Sequence, residues 1–549
     1  MKKTAVWLLA LIITLICFGC APDSEHDGAD LRTPVPEERV SIYSLSKYTI
    51  VYPSAYTAYQ KETVYALQEA VKKVTGVQIP LIPDSSPYTE NEIILASSKR
   101  VTAIEHRINT LESSMDYIIA VSEGDIILGG NNYYSDIRAI YDFINNYIGY
   151  DDIEKKIIPN EKNIIGISKN TYTESVFTIN AVNYDSNPFT SAAQIKALKE
   201  AGFNTVTVDA NMYTEKQMHD FTSWCTRFGI YIILRGIDYI SMYKSCPVIK
   251  GHCIVDEPYG EDAYKYYSEL CAEYENAYSV YGWKPYVNFM GQLDVLKNIA
   301  ESEEYFENVQ TLAFYSGLFG TAKSMDYIFR EYEVFARKAR SEGKHLWGYV
   351  QSENLNDINS AKAFRWMASV AMCFGATGVQ YFNYSLPIQN TNGIADDKNM
   401  PSGAYFEAQK VNENILNIGG LYCAYNYLGT YTVRSSSAPE YTLLENPYMG
   451  FSDKIQDLVC ESGNRSYIVG CFQSKNFDGG YAFMIMDAQL PDDKIFGTDD
   501  GYVLKFKLNS LVSSIICRID GGETELHADS EGYFRVKLKN SQPMFVTFR

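Results

Sequence analysis

Two short stretches place acidic residues where paired-carboxylate chemistry is feasible. Ile254-Val-Asp-Glu-Pro258 closes an apolar run on Asp256 and Glu257. A second run, Trp347-Gly-Tyr-Val-Gln351, is followed by Ser352, Glu353 and Asn354. Two carboxyl groups facing each other can cleave a glycosidic bond: one protonates the leaving oxygen and the other attacks, or activates water at, the anomeric carbon. Glu257 and Glu353 are the candidate pair, and this mechanism requires no cofactor. The bland alternative for Glu257 is a solvated carboxylate, because Asp-Glu-Pro is also a good helix N-terminus. For Glu353 it is a surface-loop position two residues past Gln351. Asp209 or Asp185 would then supply the second acid, leaving an inverting mechanism or no catalysis open.

Other chemistries fare worse. The 6 histidines show no HxH or HxxxH spacing, which disfavours a metal-dependent hydrolase. Past Cys20 the cysteines have no metal-knuckle spacing and several lie in apolar runs, so mostly free, buried thiols are expected. A formal net charge of −19 lacks the cationic surplus that nucleic-acid phosphates need. With 46% hydrophobic and 21% charged residues the chain is built to pack. The 45 tyrosines combine a ring face with a hydroxyl, which suits sugars and half-buried strands alike.

The elements that must hold the two acids are legible as eight units between residues 171 and 432. Apolar runs at Phe177–Tyr184, Thr205–Ala210, Tyr231–Gly236, Gly251–Glu257, Pro285–Met290, Thr311–Ser316, His345–Gln351 and Gly378–Tyr384 alternate with amphipathic helical stretches. Buried parallel strands read as such runs, and eight of them fit a (β/α)8 TIM barrel. A doubly wound open sheet is the competitor, without a Gly-rich phosphate turn to support it. Barrel chemistry sits at the C-terminal ends of strands. The substrate-binding candidates are therefore Asn183, Tyr184, Asp209, Arg235, Asp256, Asn288, Tyr315, Gln351, Tyr381 and Asn383. Tyr213, Tyr384 and Trp347 are further aromatic candidates, with Trp347 favoured as barrel wall. Arg235 suits a substrate carboxylate, or an internal ion pair with Asp256 or Asp209.

Residues 41–170 read as a small α/β layer of four or five strands with helices at Ala58–Thr75 and about Tyr134–Tyr147. Residues 433–549 read as a β-sandwich, with Pro543–Arg549 as a final edge strand. The fold class is thus multidomain α/β, a barrel flanked by an α/β domain and a sandwich. At the N-terminus, Lys2 and Lys3 precede an apolar run from Ala5 to Phe18 and then Gly19-Cys20. This layout resembles a bacterial lipoprotein leader, with Cys17 where Leu is usual. It implies a signal peptide over 1–19, lipidation of Cys20, a linker over 20–40 and a membrane-anchored location in the cell envelope, outside the cytoplasmic membrane. A plain secretory leader is the alternative.

Two further resemblances concern the folded body. Tyr117-Ile-Ile-Ala-Val, Asp125-Ile-Ile-Leu-Gly-Gly and Ala139-Ile-Tyr-Asp-Phe-Ile-Asn-Asn-Tyr-Ile-Gly149 resemble the non-catalytic α/β domain that precedes the barrel in bacterial α-glucuronidases and β-hexosaminidases. Glu257-Pro258 and Glu353 are similar to the clan of retaining barrel glycosidases, whose acid/base follows strand four and whose nucleophile follows strand seven. Asp256 stands where that clan has Asn. Trp347–Gln351 and Ala371–Tyr381 also resemble barrel proteins near the β-galactosidase and cellulase-like families, in which Gln is prominent at the end of strand seven. These resemblances imply a retaining glycoside hydrolase acting on an oligo- or polysaccharide. The alternative is a non-catalytic glycan-binding surface lipoprotein.

Overall fold

The computed structural model describes residues 40–100, 108–158, 164–165, 168–184, 187–236, 245–256, 283–290, 309–316, 324–352, 360–385, 393–434, 454–461, 464–476, 480–489, 501–509 and 512–548, with a few isolated positions besides. The leader, Cys20 and linker residues 21–39 lie outside them, while Val40 already belongs to a short strand, Val40–Ser41. Among the described residues no helix is long and apolar enough to cross a membrane.

The N-terminal domain has a six-stranded sheet in the order Ser168–Asn170, Tyr117–Ser122, Asp125–Gly129, Glu92–Leu95, Thr49–Tyr52 and Leu81–Pro83. The sequence reading expected four or five strands. Both edges are three-residue strands, too short to give an alternating pattern. The helix Ala58–Thr75 starts at a capping box between Thr57 and Gln60 and stops at Gly76, whose φ of 77° is left-handed. The second helix runs Tyr133–Asp142 and continues as a π-helical turn, Phe143–Ile148.

Eight parallel strands then close into a barrel: Thr178–Asn183, Thr205–Asp209, Tyr231–Arg235, Ile249–Asp256, Lys284–Met290, Thr311–Tyr315, His345–Gln351 and Gly378–Phe382. Strand one pairs with strand eight, Thr178 opposite Gly378, and this closure excludes the open doubly wound sheet. Alternation along each strand sorts the side chains. Ile179, Ala181, Val206, Val208, Ile232, Leu234, Leu346, Val350, Val379 and Tyr381 join the large core shared with the surrounding helices. Val182, Tyr184, Ile233, Cys253, Tyr286 and Ala313 pack together in the lumen with Trp347 and Phe382.

The barrel touches both neighbours through specific contacts. Arg227, on the helix Glu215–Phe228, donates to both carboxylate oxygens of Asp152 at 2.7 and 2.8 Å. His219 of the same helix lies against the rings of Tyr59 and Tyr133. On the other side, strand Tyr425–Arg434 follows directly on helix Tyr405–Tyr422 and pairs with Ser466–Ser474 in a six-stranded antiparallel sheet. A three-stranded sheet covers that sheet's other face, with a shared apolar core between them. The strand Met544–Phe548 corrects the sequence reading. It is not an edge but sits between Tyr481–Asp487 and Ser514–Ile519. Four of its five residues are apolar and they fall on both faces, as suits a central strand. Of the eight described cysteines, seven are buried.

Candidate functional site

The C-terminal end of the barrel is the expected place for chemistry. Strand four ends at Asp256 and strand seven at Gln351. Glu257 therefore follows immediately on strand four and Glu353 comes two residues after strand seven. Both lie outside the described residues, as does Asp185. A register shift between Cys253 and Asp256 adds one residue to strand four, so that Asp256 pairs with Asn288 of strand five. Bulges of this kind re-aim strand ends near functional sites. Tyr315 ends strand six.

Several candidates do gather in the lumen. Asp209 and Arg235 are register partners at the ends of strands two and three. One Asp209 oxygen accepts from the Asn211 backbone N–H at 2.9 Å, capping the short turn Ala210–Met212 and holding the carboxylate in place. The Arg235 guanidinium lies 4.9 Å from the centre of the Tyr184 ring. Tyr184 is buried and donates its hydroxyl to the Cys253 sulfur at 3.3 Å. Asn288 accepts from Gln380 Nε2 at 2.7 Å, and the Tyr286 hydroxyl donates to Gln380 Oε1. Below them Asn180 and Thr207 exchange hydrogen bonds at 2.9 and 3.0 Å. Gln351 is buried at the end of strand seven.

Other candidates are placed elsewhere, which corrects the sequence reading. Tyr381 has the outward parity of strand eight. It is fully buried under the helices, and its hydroxyl donates to Asn412 Oδ1 at 2.7 Å. Asn183 likewise alternates away from the lumen. It accepts from the Ser385 hydroxyl at 3.0 Å and donates to the Asn187 carbonyl at 3.4 Å, tying the ends of strands one and eight together. Tyr213 packs on Phe221, and its hydroxyl accepts from the Phe189 N–H, so it is core. Tyr384 is buried against Phe189 and Phe203. Trp347 points into the lumen but near its N-terminal end, 5.4 Å from Tyr286. Asn383 follows a cis peptide bond from Phe382, and its backbone carbonyl accepts from the Ser352 hydroxyl. Its side-chain oxygen is buried with no hydrogen-bond partner among the described residues.

Sequence reasoning missed Gln380, Tyr286, Asn180, Thr207 and Cys253. The available signal was parity: Val379 and Tyr381 form one face of strand eight, so the polar Gln380 between them must face the lumen. Nearby, His252 is buried, with Nε2 3.0 Å from the Gly236 carbonyl oxygen. Burial pushes its imidazole toward the neutral form, against the opposing pull of that carbonyl. Among the described residues no three His, Cys, Asp or Glu side chains converge as a metal-ligand group.

No protein-family model matches this chain, and no curated protein matches it. Solved structures do align. A GH30 endoxylanase from Clostridium papyrosolvens C71 is 10% identical with a TM-score of 0.36, covering 68% of this chain and 96% of its own. A glycoside hydrolase family 30 subfamily 8 xylanase from Clostridium acetobutylicum is 10% identical at 0.37, covering 68% and 96%. A family GH115 4-O-methyl-α-glucuronidase with specificity for decorated arabinogalactans is 11% identical at 0.37, covering 69% of this chain and 57% of that one. Superposition this loose adds nothing to what the barrel's own strand order shows.

Proposed function

We propose that the barrel is a glycoside hydrolase acting on an oligo- or polysaccharide, with Glu257 as proton donor and Glu353 as nucleophile. The observation that carries this reading is the strand count. The residue after strand four and the second residue after strand seven are both glutamates, and strands four and seven stand across the mouth of a closed eight-stranded barrel. Asp209, Arg235, Asn288 and Gln351 supply polar groups around that mouth, as a hydroxyl-rich substrate requires. Retention of configuration calls for carboxyl groups about 5–5.5 Å apart. Lipidation at Cys20 would hold this activity at the cell envelope.

The test is a screen of aryl glycosides with wild type and Glu257→Gln. Turnover by wild type that falls by roughly 10²–10⁴ in the variant supports the reading. Turnover that survives unchanged overturns the role of Glu257. One observation favours a second reading, a glycan-binding barrel without catalysis: the residue that ends strand seven inside the barrel is the amide Gln351 rather than an acid. Oligosaccharide binding by wild type with no turnover of any glycoside would select it.

A further inference from the structure

At the opposite end of the barrel the strand starts surround a cavity of about 590 Å³. Small-molecule sites fall within about 300–1,000 Å³. Its floor is made by the apolar lumen side chains Ile233, Tyr286 and Trp347. The Trp347 ring lies against the backbone of Gly378 on the next strand, where any Cβ would come within 2.7 Å of Trp347 Cδ1. The absence of a side chain at Gly378 therefore leaves the ring room at the floor. Around the wall stand the threonines Thr178, Thr205, Thr311 and Thr377, each with a hydroxyl.

The charge of this end is opposite to that of the chain. Lys250 and Lys475 line the cavity against one acid, Glu174. Lys250 and Glu174 are 3.8 Å apart and both are exposed, a contact loose enough for water or an anion to replace. Lys475 projects from the sandwich and is anchored by donating to the Cys423 carbonyl at 2.7 Å. A second cavity of about 310 Å³ shares His345, Thr377, Cys423 and Lys475 with the first and adds Arg340 and Lys344, the latter paired with Glu342 at 3.3 Å. His345 contacts the Thr377 hydroxyl at 3.1 Å, and its imidazole is held toward the neutral form by burial first and by Lys475 second. In a protein of net charge −19, the aromatic-floored opening is thus lined by two lysines and one acid.

We propose that this opening is a second ligand site, separate from the C-terminal mouth, which takes an acidic pyranose. The sugar ring rests on Trp347 and Tyr286, the threonine hydroxyls meet ring hydroxyls, and the carboxylate faces Lys475. A ring face with aligned hydroxyls matches an aromatic floor with hydroxyl walls, and a carboxylate matches the Lys475 ammonium. Neither a neutral sugar nor a bare inorganic anion satisfies both.

The experiment titrates the intact chain with glucuronate, galacturonate, glucose and inorganic phosphate, read by calorimetry and by tryptophan fluorescence. Trp283 and Trp366 are buried elsewhere and Trp224 is half-buried on the helix Glu215–Phe228, so Trp347→Phe, which should abolish the change, assigns the fluorescence signal to Trp347. Uronate is expected to bind and change the fluorescence, with glucose and phosphate at least tenfold weaker. Lys475→Glu, at an exposed position, is expected to weaken uronate at least tenfold without moving the melting temperature or any glycoside turnover. Lys250→Glu is expected to act in the same direction. Equal uronate affinity in wild type and Lys475→Glu overturns the proposal, as does glucose or phosphate binding as tightly as uronate, or no uronate binding at all. Because the readout is binding, it remains decisive even if the barrel hydrolyses nothing.

Discussion

Gln380 on strand eight reaches across the lumen and donates to Asn288 on strand five at 2.7 Å. Its oxygen simultaneously accepts from the Tyr286 hydroxyl, so both ends of one amide are committed and its orientation is fixed. This cross-lumen bond separates the polar mouth above from the aromatic floor below. Gln380→Leu keeps the volume and removes both bonds, leaving buried polar groups on strand five without this partner. A loss of roughly 1–3 kcal/mol in urea unfolding is expected. An unchanged midpoint would show that the amide does not brace the barrel.

Where the sandwich meets the barrel, Gly470 presses directly on the end of helix Ser360–Cys373. A Cβ there would lie 2.2 Å from the Cys373 carbonyl oxygen, which is backbone and cannot swing aside. That carbonyl already accepts from the Thr430 hydroxyl at 2.7 Å. Gly470→Ala is expected to destabilise the protein by about 1–3 kcal/mol through overpacking. Gly403→Ala, with open space around it, is the control and should melt within a degree or so of wild type.

Asp136 is completely buried in the N-terminal domain, where it accepts from the Tyr56 hydroxyl at 2.6 Å and from the Ser97 hydroxyl. Burial outweighs those hydrogen bonds and pushes its carboxyl up to about 7. The folded state therefore holds a proton that the unfolded chain releases near pH 4. Stability contributed by that proton is full below about pH 4 and is lost as pH rises to about 7. Thermal melts at pH 5 and pH 8 should show a fall for wild type that Asp136→Asn reduces. An identical pH response in the two proteins would refute the buried, protonated Asp136.

The identity of the second acid has its own discriminating pair. Asp209 caps a turn through one oxygen, and Asn retains that acceptor, so Asp209→Asn should keep the fold. If Glu353 is the nucleophile, Glu353→Gln loses about 100-fold or more in kcat. Asp209→Asn then stays within about tenfold of wild type. The reverse ranking would move the nucleophile to strand two.

The barrel was legible because its strands are buried on both faces, which makes continuous apolar runs. His345–Gln351 matches the observed strand at both ends. What the runs could not convey is the face each side chain takes. Tyr381 and Gln380 are adjacent in the same run, yet one belongs to the helix packing and the other to the lumen, and only the register separates them. Asn183 looked like a mouth residue because it is polar and ends a strand, whereas its hydrogen bonds serve the junction of strands one and eight. The sandwich's central strand Met544–Phe548 was misread because pairing order is set by contacts distant in sequence, which local alternation does not record.

The pairing of Thr178 with Gly378 also has a consequence for biosynthesis. On the ribosome strand one emerges long before strand eight, and until they meet the nascent sheet has an unpaired edge at which a neighbouring chain can add. The Ser385–Asn183, Asn187–Asp397 and Asn399–Asn187 hydrogen bonds then act as a latch, forming only once the last barrel strand and its following loop have been translated. Until that latch forms, the open edge is the state in which the chain is most exposed to pairing with a neighbour.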